Sequence, residues 1–165
     1  MLSLPNQLPF PHVEPACGHA PRAVRNAAVR ALLGELVTYP KPGLVSLCDS
    51  GSHRDMDAAS FVRSSLALRR YFEQAAAAGA QGARFATLNR LGREAEARML
   101  RATGGINTHR GAIFNLGLLA AAAGACAPQD RAPLGQRVRQ LWGADIAAHR
   151  RDGSSHGSRV TATHG

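Results

Sequence analysis

Between residues 21 and 150 apolar residues recur at three- and four-residue spacing, the period of helices that bury one face. Val24, Ala27, Ala28, Ala31, Leu32 and Leu36 form the first such stripe, with Arg22, Arg25 and Arg30 off it. That helix must stop near Tyr39, because Pro40 and Pro42 disfavour helical backbone around them. A Gly/Ser/Asp/Pro loop runs to about Asp55. A second helix is predicted from Asp57, a capping residue, through Phe61, Ser65, Leu68, Phe72 and Ala75 to Gly79. The third runs from about Thr87 through Leu88, Leu91, Ala95, Met99 and Ala102 and breaks at Gly104-Gly105. The fourth, from about His109 to Ala123, is apolar nearly all round, which predicts a buried central helix. The fifth opens at Pro133 and carries Leu134, Val138, Leu141, Trp142 and Ile146. No segment alternates with period two, so the predicted fold is all-α.

The flanks lack this pattern. Residues 1–20 are proline-rich and aperiodic and read as a loose arm; residues 21–150 form the helical domain. Residues 151–165 carry Ser, Thr, His and Gly with no apolar spacing, and read either as a disordered tail or as a chain stopping inside a larger domain. A length of 165 residues, 45% of them hydrophobic, fits one domain with a core. Charge adds a preference for anionic partners: 20 Lys and Arg against 11 Asp and Glu give +9, and Lys41 is the sole lysine. Cys17, Cys48 and Cys126 are far apart and odd in number, which argues against a secreted disulfide scaffold. The N-terminus has no charged segment followed by an apolar run, and the stretch from Ile113 to Ala123 is too short to span a bilayer. A cytoplasmic protein with no membrane contact is the default expectation.

Three clusters at helix junctions carry the candidate chemistry. Tyr39-Pro40-Lys41-Pro42-Gly43-Leu44-Val45-Ser46 holds the lysine between two prolines, which suits either a fixed cation for phosphate or a plain helix-stop loop. Asp49-Ser50-Gly51-Ser52-His53-Arg54-Asp55-Met56-Asp57 packs three carboxylates, a histidine and an arginine beside a helix start. Asp55 and Asp57 there suit Mg²⁺ shared with substrate phosphates, or one of them caps the helix. Thr103-Gly104-Gly105-Ile106-Asn107-Thr108-His109-Arg110-Gly111-Ala112 places freed backbone N–H groups and an arginine at a helix N-terminus, the makings of an anion site. It is neither a Walker A loop nor a dinucleotide fingerprint, since no Gly-Lys-Ser/Thr follows and no strand precedes it.

Three carboxylates are weaker candidates. Glu94 and Glu96 lie on the third helix, Glu94 within reach of Arg98, in the usual pattern of solvated pairs. Glu35 sits among the apolar residues that end the first helix, where an unpaired carboxylate would be partly buried with a raised pKa, as a general base needs, or where it simply pairs with a nearby arginine. The seven histidines show no HExxH or other zinc spacing.

In this order the clusters resemble the triphosphoribosyl-dephospho-CoA synthase family, which carries a Pro-Lys-Pro-Gly-Leu-Val loop, a Gly-Ser-His-x-Asp-Met stretch and a Thr-Gly-Gly-x-Asn-Thr-His-x-Gly-Ala-Ile segment. Here they read Pro40–Val45, Gly51–Met56 and Thr103–Ile113. Gly92-Arg93-Glu94-Ala95-Glu96 and Ser155-His156-Gly157 also resemble the family pattern. Ser46 and the wording after it resemble the malonate decarboxylase branch more than the citrate lyase branch, which tends to have aspartate at Ser46.

The resemblance implies an all-α enzyme that joins the 5-triphosphoribosyl unit of ATP to the ribose 2′-hydroxyl of 3′-dephospho-CoA and expels adenine. The product is the precursor of an acyl carrier protein's prosthetic group, attached by a separate transferase. In these terms Lys41, Arg54, Gly104, Gly105, Asn107 and Arg110 bind the phosphorylated substrates, and Asp55 or Asp57 shares Mg²⁺. Glu35, Glu94 and His109 are the unranked candidates for the carboxylate beside the anomeric carbon and for the base. Family members continue past Ser-His-Gly with more helices, so residues 151–165 are expected to mark a truncation. A non-catalytic remnant is accordingly one alternative. The other is a basic nucleic-acid-binding module, against which stand scattered arginines, no recognition motif and only 5% aromatic residues.

Overall fold

A computed structural model describes residues 19–127 and 129–151, the last two by backbone alone. The expected arm lies outside the described residues except for its last two, as does the tail beyond Arg151 with Ser155-His156-Gly157. The described chain is all helical: α1 Pro21–Val37, α2 Ala58–Ala67, α3 Arg69–Ala80, α4 Phe85–Ala102, α5 Arg110–Ala125 and α6 Leu134–Arg151.

The second predicted helix is corrected. The helix predicted over 57–79 is two helices that meet at Leu68, where ψ flattens to −7°. Backbone bonds still run through the bend, from Leu68 N–H to Ser64 and from Phe72 N–H to Leu68. Apolar spacing is unbroken across it, so periodicity cannot register the change of direction. The two halves pack on different partners: α2 lies on α1 and α4, whereas α3 runs chiefly along α5 and α1. Leu68 and Phe72 at the bend are fully buried.

The most extensive contact joins α3 to α5. Small residues bring the two backbones together, and a Cβ on Gly79 would fall 1.9 Å from the Ala121 carbonyl oxygen. Tyr71 crosses the same interface, where its hydroxyl donates to the Ile113 carbonyl (2.9 Å) and occupies the space a side chain on Gly117 would need. Around this pair Leu32, Leu91, Ala95 and Met99 complete one core cluster, and Phe85, Leu88, Leu118 and Trp142 form a second. As its all-round apolarity predicts, α5 is buried at Ile113, Gly117, Leu118 and from Ala120 to Gly124. Trp142 docks α6 by burying its ring and donating from Nε1 to the Ala83 carbonyl (3.0 Å). Leu141, read as part of the α6 apolar face, is exposed instead.

Candidate functional site

The site begins where α1 ends. The last turn of a helix leaves carbonyls without intrahelical donors, and here Lys41 returns to supply one. Its Nζ donates to the Glu35 carbonyl (2.7 Å) and pairs with the Glu35 carboxylate (2.5 Å). A cation is favourable at that end of the helix dipole as well. The Lys41 side chain is 9% exposed and that of Glu35 50% exposed. Glu35 is thus paired, as the second reading had it, but with Lys41 and not an arginine, and it is more exposed than expected, because the proline-bounded loop folds the lysine back onto the helix it terminates.

The first two clusters form one body. Gly43 and Gly51 both have positive φ (78° and 58°), and a Cβ on Gly51 would lie 2.5 Å from the Gly43 carbonyl carbon. The two loops therefore touch backbone to backbone, joined by Ser52 N–H to the Gly43 carbonyl (3.1 Å). Between them Ser46 is buried and its Oγ accepts from the Cys48 and Asp49 N–H groups. Asp49 in turn accepts the Gly51 N–H, so both residues shape the turn. Arg54 and Asp55 are exposed and make no hydrogen bond or ion pair with the described residues. Asp57 is the cap. Its Oδ1 accepts the Ser60 N–H (2.8 Å) while the Ser60 hydroxyl accepts the Asp57 N–H (2.9 Å), a closed capping box. The Ser60 N–H, then the Ser60 hydroxyl, hold the Asp57 carboxyl below its ordinary value.

The third cluster folds at the α4–α5 junction. Gly104 and Gly105 take φ of +68° and +93°, and the Gly105 N–H closes the end of α4 on the Leu100 carbonyl (2.7 Å), the long bond of a Schellman cap. Buried Thr103 pins the loop by donating to the Met99 and Ile106 carbonyls. Asn107 Oδ1 accepts the Arg110 N–H at the start of α5 (3.2 Å), and the Arg110 guanidinium pairs with Glu96. Arg110, Glu96 and Arg93 also line a cavity of about 140 Å³ between α4 and α5.

His109 is the most enclosed of the predicted residues, at 6% exposed. Its Nδ1 lies 2.7 Å from Ser64 Oγ, Phe61 meets its ring edge-on at 4.8 Å, and its backbone N–H donates to the Met99 sulfur (3.2 Å). Burial pushes its pKa down, against the opposing pull of the Glu35 charge. Its Nε2 and the neighbouring Thr108 Oγ1 are buried with no partner among the described residues.

The fold thus brings Lys41, Glu35 and His109 into one electrostatic neighbourhood, with Gly104, Gly105, Asn107 and Arg110 on the same junction as His109. Arg54, Asp55 and Asp57 lie on the adjoining loop. Glu94 is exposed on α4 and pairs with Arg90 (2.6 Å), not with Arg98 as its spacing suggested. Sequence reasoning missed Ser64. Its signal was faint: Ser60, Ser64 and Ser65 are three polar residues on the buried face of α2.

Among the described residues no helix is long and apolar enough to cross a membrane, and no three His, Cys, Asp or Glu cluster as metal ligands. Two carboxylates and substrate phosphate suffice for Mg²⁺. Exposed Asp55 and the second oxygen of ionised Asp57, which has no partner among the described residues, fit that donor set.

Comparison with known proteins agrees with the arrangement of the motifs. Residues 21–154 match the family described as ATP:dephospho-CoA triphosphoribosyl transferase (CitG). The chain is 39% identical over 140 residues to a probable 2-(5''-triphosphoribosyl)-3'-dephosphocoenzyme-A synthase of Acinetobacter calcoaceticus, covering 82% of this chain and 48% of that one. It is 43% identical over 145 residues to a protein of the same name from Azotobacter vinelandii, covering 84% and 49%. With the 2-(5''-triphosphoribosyl)-3'-dephosphocoenzyme-A synthase of Escherichia fergusonii it shares 42% over 109 residues, or 62% and 36%. The chain spans about half the length of the first two relatives. No solved structure matches it. With four fifths of the chain inside the family match and all three motif loops within it, the chain belongs to the ATP:dephospho-CoA triphosphoribosyl transferase family.

Proposed function

We propose that the protein transfers the 5-triphosphoribosyl group of ATP to the 2′-hydroxyl of 3′-dephospho-CoA. The C1′–N bond to adenine breaks, a C1′–O bond to the acceptor forms, and the hydroxyl proton leaves with adenine. One observation carries this reading: the first two motif loops pack backbone to backbone, the Glu35 charge held by Lys41 acts on His109 of the third, and buried polar atoms at that α4–α5 junction have no partner among the described residues. Both substrates are polyanions, and the junction offers Arg110, the Asn107 amide and the open N-terminal turn of α5. Gly104 and Gly105 leave open space at the loop surface, which lets a phosphate approach the backbone. Arg54 on the neighbouring loop is unengaged by the described residues and reaches for the same charge. Lys41 fixes the orientation of the Glu35 carboxylate, which would stabilise positive charge at the anomeric carbon and accept the hydroxyl proton. Glu94 is left as a weaker candidate by its exposure and its pairing with Arg90. Asp55 and Asp57 would hold Mg²⁺, which when bound neutralises triphosphate charge.

The branch served is proposed to be malonate decarboxylase, on the serine at position 46, with the product passed by a separate transferase to an acyl carrier protein. An aspartate there could accept the same two N–H groups, so the turn geometry supports either branch equally. The test is chromatographic detection of adenine from ATP. Adenine is expected only when dephospho-CoA and Mg²⁺ are both present. Release that ignores dephospho-CoA, or no release at all, overturns the reading.

A further inference from the structure

We propose that His109 is a hydrogen-bond donor through Nε2 to a phosphate oxygen of the bound nucleotide, fixed in that tautomer by Ser64, and is not the base. The ligand part of this inference rests on the function proposed above; the tautomer part does not.

Ser64 is fully buried on α2, and its Oγ has one hydrogen-bond partner among the described residues, Nδ1 of His109 at 2.7 Å. A helical serine usually has a second outlet for its proton, the carbonyl four residues back. Ser65 uses it on Phe61 and Thr103 uses it on Met99, but Ser64 makes no such bond. If Nδ1 carried the ring proton, Ser64 would accept it and its own O–H would be buried with nowhere to donate. A buried donor left unsatisfied costs more than a satisfied pair gains. Ser64 therefore donates, Nδ1 accepts, and in the neutral imidazole the proton lies on Nε2. Burial of the ring, with Phe61 against its edge, favours that neutral form.

The same rule then applies to Nε2. Its N–H is buried with no partner among the described residues, as is Oγ1 of the preceding residue, Thr108. Two residues further on, the Gly111 and Ala112 N–H groups open the sixteen-residue α5 and find no partner among the described residues either. Donors in excess over five consecutive residues call for an oxygen-rich acceptor, and a phosphate supplies several oxygens at once. With Nδ1 occupied and Nε2 protonated, neither ring nitrogen has a free lone pair for the 2′-hydroxyl proton. Ser64 is thus a positioning residue, and proton acceptance falls to Glu35.

Two-bond ¹H–¹⁵N correlation spectra of ¹⁵N-histidine-labelled protein test this directly. In the ligand-free chain the His109 Nε2 signal is expected in the protonated range and Nδ1 in the unprotonated range. The reverse assignment overturns the proposal without reference to catalysis. Ser64→Ala is expected to mix the two tautomers and to weaken tripolyphosphate binding roughly tenfold, the worth of one hydrogen bond to a charged group. Unchanged tautomer ratios in a folded Ser64→Ala protein overturn the role of Ser64. Added tripolyphosphate is expected to move the Nε2 proton, whereas a shift with adenosine alone overturns the phosphate assignment. Loss of adenine release with the expected tautomer intact counts against the transferase reading only.

Discussion

Substituting Gly79 by alanine adds one methyl group at the closest approach of α3 and α5. The new Cβ would lie 1.9 Å from the Ala121 carbonyl oxygen and 2.6 Å from its carbon, where real Cβ contacts essentially never fall below 3.0 Å. The obstruction is main chain, so no side chain can rotate out of the way, and the helices must part by about 1 Å. A gap of that size forfeits a quarter to a half of each dispersion contact across it, here along Ala75, Ala76, Ala120 and Ala121. Overpacking of this kind costs about 1–3 kcal/mol, and rigid backbone on the far side puts Gly79→Ala at about 3. Better helix propensity returns up to about 1 kcal/mol, leaving a net loss of about 2.

Gly34 supplies the control, since it lies inside α1 and a Cβ there meets nothing within 4 Å. Gly34→Ala should therefore stabilise by about 0.5–1 kcal/mol through the same propensity difference. Two chemically identical substitutions are thus expected to differ by about 3 kcal/mol. That corresponds to a gap of roughly 6–12 °C in midpoint for a chain of this size. Thermal melts followed by circular dichroism at 222 nm read it. A Gly79→Ala protein melting at or above the Gly34→Ala protein would refute the close α3–α5 packing.

Two further outcomes separate overlapping roles. Asp57→Ala should lose the cap and about 1 kcal/mol in urea denaturation, whereas Asp57→Asn should keep most of the stability while raising the Mg²⁺ needed for adenine release; equal effects of both variants would leave Asp57 a cap and no more. Because burial holds His109 below its ordinary 6.5, the unfolded chain takes up that proton first on acidification. Stability should then be full above pH 6.5 and fall below it, by at most about 1.4 kcal/mol per pH unit, until the folded pKa is passed. His109→Gln should remove that component of the slope in denaturant melts from pH 7 to 5, a window that lies above the Asp57 contribution, which begins below 3.8; an unchanged slope would contradict the buried histidine.

Helical spacing and the punctuation of Pro, Gly and Asp determined the all-α class, the capping role of Asp57 and the central position of α5. These are local properties: a helix buries whichever stripe is apolar, and a cap is made within four residues. The motif loops were equally legible as places where polar groups collect. What those groups do was decided by how the chain folds back on itself. Lys41 turned back six positions onto Glu35 through the proline-bounded loop, and Ser64 met His109 across 45 positions where α2 leans on α4. Periodicity is blind to such a bend, since it leaves the spacing intact and changes only direction. For the same reason Glu35 could be placed near the loop from sequence but not weighed as buried or paired. Desolvation and pairing are sums over neighbours, and only the packed helices supply the neighbours.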